Sequence, residues 1–74
     1  MDKKKVIQEL FDGYNWLKTH DYKISIGENG VVTIKILKNY DVRMLNRLVE
    51  NIKGLSLRVK HSTYEGMSFV MDVE

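Results

Sequence analysis

Apolar residues fall along this chain in four patterned blocks, two with helical spacing and two that alternate. In the first, Val6, Ile7, Leu10, Phe11, Tyr14 and Leu17 share one face at about 100° per residue. That spacing predicts a helix from roughly Asp2 to Thr19, acidic at its start and ending near Lys18, the order the helix dipole favours. Gly13 inside it costs about 1 kcal/mol relative to Ala and marks a bend or a close approach by another element. Trp16 falls nearly opposite the apolar stripe, near Lys5, Glu9 and Asp12.

The second block alternates over Tyr22–Ile26 and Val31–Leu37, around Glu28-Asn29-Gly30. With a three-residue loop, Ile26 faces Val32, Ile24 faces Ile34 and Tyr22 faces Ile36. A two-residue Asn29-Gly30 turn would set Ile26 against Thr33 and Ser25 against Ile34, apolar against polar. The three-residue loop, with Gly30 at the positive φ of a bulge, is therefore expected. It leaves Ser25 opposite Thr33 and Lys23 opposite Lys35 on the other face, where like charges weaken the ladder modestly.

A second helix spans Val42 to Lys53, with Asp41 as N-cap and Val42, Leu45, Leu48, Val49 and Ile52 as its buried stripe. Gly54 holds the C′ position, and Leu55 can fold back on the last turn. The fourth block reads as a hairpin over Leu55–Ser62 and Met67–Val73, looping at Tyr64-Glu65-Gly66. This pairs His61 with Phe69, Val59 with Met71, Leu57 with Val73, and Arg58 with Asp72. Two hairpins with one apolar face each need cover. The expected fold is one α+β domain over residues 1–74 in the order helix–β–β–helix–β–β, a four-stranded, mainly antiparallel sheet with both helices on one face.

Composition narrows the chemistry. The 74 residues are 43% hydrophobic and 30% charged, a globular balance. They include no Cys, which removes disulfides, thiol catalysis and cysteine-bound zinc together. No apolar run reaches membrane-span length, and the lysines at positions 3–5 are not followed by a signal-peptide stretch. The chain reads as soluble and cytoplasmic, with no membrane partner. His20, at the end of the first helix, and His61, inward on the second hairpin, read as structural. No metal site, cofactor motif or catalytic constellation is recognisable, so the chain reads as a non-enzyme.

Net charge is only +2, so any electrostatic function depends on where the charges sit. The registers above turn Lys23, Ser25, Thr33, Lys35, Ser56, Arg58, Lys60, Val70 and Asp72 outward. Four are basic and one is acidic, and short hydroxyls stand between long cations, a mixture suited to phosphate. Tyr22 and Phe69 point inward, leaving no outward strand aromatic for base stacking. Duplex DNA is thus favoured over a single strand. Arg58 is the best base-edge reader by type, though its expected pairing with Asp72 competes. A competing class is a protein-interaction module or inhibitor that engages a host protein. It would use Trp16 and its neighbours, Arg43 and Arg47 on the second helix, or an exposed strand edge, and edge pairing into a homodimer is compatible with so small a domain.

From Tyr22 onward, over about two-thirds of its length, the chain resembles the C-terminal DNA-binding domain of phage middle-promoter activators of the MotA type. The similarity rests on the Glu28-Asn29-Gly30 hairpin, the run Gly54-Leu55-Ser56-Leu57-Arg58-Val59 and the closing strand from Gly66 to Val73. The resemblance implies a double wing, two hairpins interspersed with helices that bind duplex DNA through a basic surface, and a phage-like regulatory setting. In those activators a winged-helix domain ahead of the hairpins contacts the transcription machinery. Here one helix stands in that place, so activation does not carry over.

Overall fold

α1 (Lys3–Asp12) starts where the Asp2 side chain accepts a hydrogen bond from the Lys5 amide at 3.3 Å. It stops seven residues short of the expected Thr19. Gly13 closes it as C-cap: its N–H bonds to the Leu10 carbonyl at 3.2 Å, and the next N–H, of Tyr14, bonds to the Phe11 carbonyl at 3.0 Å. The chain then turns through Tyr14–Trp16, which lets Leu17 drop into the core, and a 3-10 turn (Thr19–Asp21) leads into the sheet. Trp16 is therefore a loop residue, and His20 lies in the 3-10 turn rather than at a helix end. The computed structural model describes residues 2–74, except for the His61 side chain, so the inward, structural reading of that side chain lies outside the described residues.

β1 (Tyr22–Ile26) and β2 (Val32–Ile36) pair antiparallel with Tyr22 opposite Ile36, Lys23 opposite Lys35, Ile24 opposite Ile34, Ser25 opposite Thr33 and Ile26 opposite Val32. The loop is the expected one. Gly27 N–H bonds to the Val31 carbonyl at 2.8 Å, and Gly30 adopts φ +77°, which a residue with a Cβ disfavours.

α2 (Val42–Lys53) is capped by Asp41, whose carboxylate accepts from the Arg43 amide at 2.8 Å. Leu45, Leu48, Val49 and Ile52 are buried, but Val42, expected among them, opens the first turn of the helix and is 58% exposed. Gly54 does not take a left-handed conformation (φ −63°). Two further tight turns, Leu55 N–H to Ile52 O and Ser56 N–H to Lys53 O, carry the chain to Ser56 at φ +65°. The segment from Leu55 to Arg58 is thus a turn and not a strand, and Leu57 reaches the core from it. Ser56 is not an outward strand residue.

β3 (Val59–Glu65) and β4 (Ser68–Val73) form the second hairpin in a different register from the expected one. The turn is the two residues Gly66-Met67, with Gly66 at φ +62°, and Glu65 faces Ser68. Tyr64 then lies opposite Phe69, their rings 5.4 Å apart and edge-to-face. Val59 and Tyr64 are five positions apart, so unbroken alternation would send them to opposite faces. A bulge between Val59 and His61 absorbs the extra residue and returns Val59 to a place opposite Val73. The expected Arg58–Asp72 pair does not form.

β2 pairs with β4, giving a four-stranded antiparallel sheet in the order β1-β2-β4-β3. Ile7 and Phe11 of α1, the buried residues of α2, and Tyr22, Val32, Ile34, Ile36, Phe69, Met71 and Val73 join in one core cluster. No described helix is long and apolar enough to cross a membrane.

Candidate nucleic-acid interface

The residues between the buried ones in each strand form the second face of the sheet. Two rows run straight across it. One is Lys23, Lys35, Val70 and Thr63, and the next is Ser25, Thr33 and Asp72. Lys23 and Ser25, on the edge strand, are exposed, while Lys35, Thr33, Val70 and Asp72, on the inner strands, are half-buried by their neighbours. The Thr33 hydroxyl donates to Asp72 Oδ1 at 3.0 Å, which occupies the acid expected to neutralise Arg58.

Arg58 instead meets Glu74. Its guanidinium lies 4.0 Å from Glu74 Oε2, and Lys60 Nζ lies 3.3 Å from Oε1 of the same carboxylate. One carboxylate is shared by two cations at the far corner of the sheet, diagonal to the lysine pair. These are exposed pairs of small energetic weight, yet they give Arg58 and Lys60 a local counter-charge. Lys23 and Lys35 make no ion pair among the described residues. Of the four expected cations, the register brings two side by side and sets the other two apart around Glu74. Sequence reasoning missed Glu74, because its place opposite Arg58 depends on the β3 bulge.

The expected protein-contact residues are scattered. Trp16 is half-buried, packed 5.1 Å from the Tyr14 ring and 5.0 Å, edge-to-face, from the Tyr40 ring. Arg43 and Arg47, one turn apart on α2, line with Met44 a shallow hollow of about 340 Å³. Arg43 also lies 3.6 Å from Asp41.

Behind Trp16 is a polar group that sequence spacing gave no sign of. Tyr40 donates to Asp21 Oδ2 at 2.9 Å and stands 3.0 Å from the Trp16 carbonyl oxygen. Asp21 is the one buried charged residue among those described. Burial works to raise its carboxyl pKa, but the Tyr40 hydroxyl, His20, Lys38 and the Lys18 backbone amide outweigh it and hold it below the ordinary carboxylate value. Burial, with the hydrogen bond and charge of Asp21, pushes the Tyr40 phenol up to about 12.

In comparisons with protein-family models, curated proteins and solved structures, nothing matches this chain.

Proposed function

We propose that both helices cover one side of the sheet and that the open side is a contact face for duplex DNA, in a small non-enzymatic DNA-binding or regulatory protein. The observation that carries this reading is the Lys23–Lys35 pair. Two ammonium groups on facing positions repel each other, and an anion held between them relieves the repulsion. Ser25 offers an exposed hydroxyl beside them. Thr33, whose proton goes to Asp72, keeps only acceptor capacity and so orients its neighbours more than it binds phosphate. Arg58 and Lys60 are secondary contacts, since phosphate must compete with Glu74 for them. None of the described side chains in the two outward rows is aromatic, which supports a backbone-tracking mode on a duplex over stacking on a single strand. The resemblance to double-wing domains implies the same class of partner.

Duplex affinity measured against salt concentration tests the reading. It should fall steeply as salt rises, and Lys23→Ala or Lys35→Ala should each lower the slope of the logarithmic plot by about 1. Undetectable duplex binding at low salt, or a slope unchanged in both variants, would reject it.

A second reading, a protein-interaction module, is favoured by the tip of the β3–β4 hairpin, where Met67 is 77% exposed beside exposed Tyr64. A nuclease-resistant protein partner lost on Met67→Glu and retained on Lys23→Ala would favour it over the first.

A further inference from the structure

An open antiparallel sheet has two edges, and the two edges of this one are built differently. β3 is broken by a bulge and carries Lys60 beside it, two features that discourage another strand from pairing. β1 is an unbroken five-residue ladder with neither bulge nor proline. Bonds at its two ends fix which way its backbone groups point: Leu37 N–H to Asp21 O and Gly27 N–H to Val31 O, both 2.8 Å. Asp21, Lys23, Ser25 and Gly27 therefore bond towards β2, and Tyr22, Ile24 and Ile26 turn their N–H and C=O groups to the open edge. Ile26 is 57% exposed and Ile24 half-buried, both on the core side of the sheet.

We infer that two copies of this chain pair through β1, antiparallel about a two-fold axis at Ile24, and join their sheets into one. In this register all five strand residues find a partner within the other strand. Tyr22 faces the partner's Ile26, and Ile24 faces its own copy. Each of these pairs brings together residues whose backbone groups are open, so each can exchange two N–H···O bonds. On the outer face Lys23 meets the partner's Ser25. Centring the pairing on Lys23 would set that lysine against its own copy, a like-charge contact. Centring it on Ser25 would place Tyr22 beyond the strand, against the partner's Glu28. The register at Ile24 alone avoids both, and an isologous two-fold contact needs this kind of self-complementarity.

The pairing goes beyond the duplex reading and stands whether or not that reading holds. Its consequence for the outer face is that Lys23 and Lys35 of both copies gather at the middle of the joined sheet. Asp72, Glu65 and Glu74 move to its flanks. The second copy thus contributes half of the basic surface.

Sedimentation and amide hydrogen exchange on the whole chain, without nucleic acid, test this from micromolar to millimolar concentration. The expected result is a monomer–dimer transition in which the Ile24 and Ile26 amides gain protection as concentration rises and those of Lys23 and Ser25 do not. Ile26→Pro removes an N–H that bonds to nothing within one copy, and should weaken self-association by about tenfold or more. If that variant fails to fold, the exchange pattern of the unaltered chain decides alone. A monomer throughout, or concentration-dependent protection at Ser62 and Tyr64 of β3 instead, would overturn the inference.

Discussion

Ser56 takes φ +65° in the turn that leads out of α2, a region where a Cβ crowds the backbone, while Gly54 two positions earlier sits at φ −63°, open to any residue. The glycine that usually ends a helix is present, but the left-handed step falls on a serine. Ser56→Gly should raise the unfolding free energy by about 0.5–1 kcal/mol, the relief of backbone strain exceeding the extra freedom of the unfolded chain. Urea unfolding of the two proteins measures this, and a less stable variant would contradict it. Lys23 and Lys35 are the opposite kind of residue, locally unfavourable and easily removed. Either Ala substitution relieves repulsion and leaves the core untouched, which makes both clean probes of binding. Their opposition was legible because a single loop length kept apolar residues together. Glu74 as the counter-charge for Arg58 and Lys60 was not legible, because that contact depends on a bulge with no sequence signature.

The two hairpins show where sequence patterning stops being sufficient. Every inward position of the β1–β2 ladder is apolar, so one register satisfies the pattern. β3 holds Lys60, His61, Ser62 and Thr63 in succession, with no alternation to fix its frame, and the Tyr64–Phe69 ring contact and the Gly66 turn decide the register instead. Helical periodicity similarly ran past the end of α1, since Tyr14 and Leu17 reach the core from a loop that follows Gly13. That loop is joined to the start of the sheet by Tyr40 and Asp21. Tyr40→Phe removes the hydroxyl from both contacts and should cost on the order of 1 kcal/mol. Because the folded-state pKa of Asp21 is depressed, its contribution is complete above the ordinary value of 3.8 and is lost as pH falls through the lower folded value. Thermal unfolding of Asp21→Asn should therefore lie below that of the unaltered chain at neutral pH, with the gap closing below about pH 4. A gap that stays constant from pH 7 to pH 3 would contradict the assignment. Tyr40 has the opposite sign. Its raised pKa contributes stability that is whole below the ordinary value of 10.0 and is lost as pH rises towards about 12.

Across the whole molecule twelve basic residues nearly balance ten acidic ones, so bulk attraction to nucleic acid is weak and the arrangement of charge matters more. The second face of the sheet divides accordingly. Its β1–β2 half carries Lys23 and Lys35 with hydroxyls, and its β4–β3 half carries Asp72, Glu65 and Glu74 against Arg58 and Lys60. A second cationic pair, Arg43 and Arg47, lies on α2 and not on the sheet. Titration of the isotopically labelled chain with a short DNA duplex, followed by amide chemical shifts in low salt, separates these surfaces directly. The largest shifts are expected at Lys23, Ser25, Thr33 and Lys35, with smaller ones at Arg58 and Lys60 and little change along α2. Shifts concentrated at Arg43, Met44 and Arg47 with the sheet silent, or no saturable shifts at all, would contradict it.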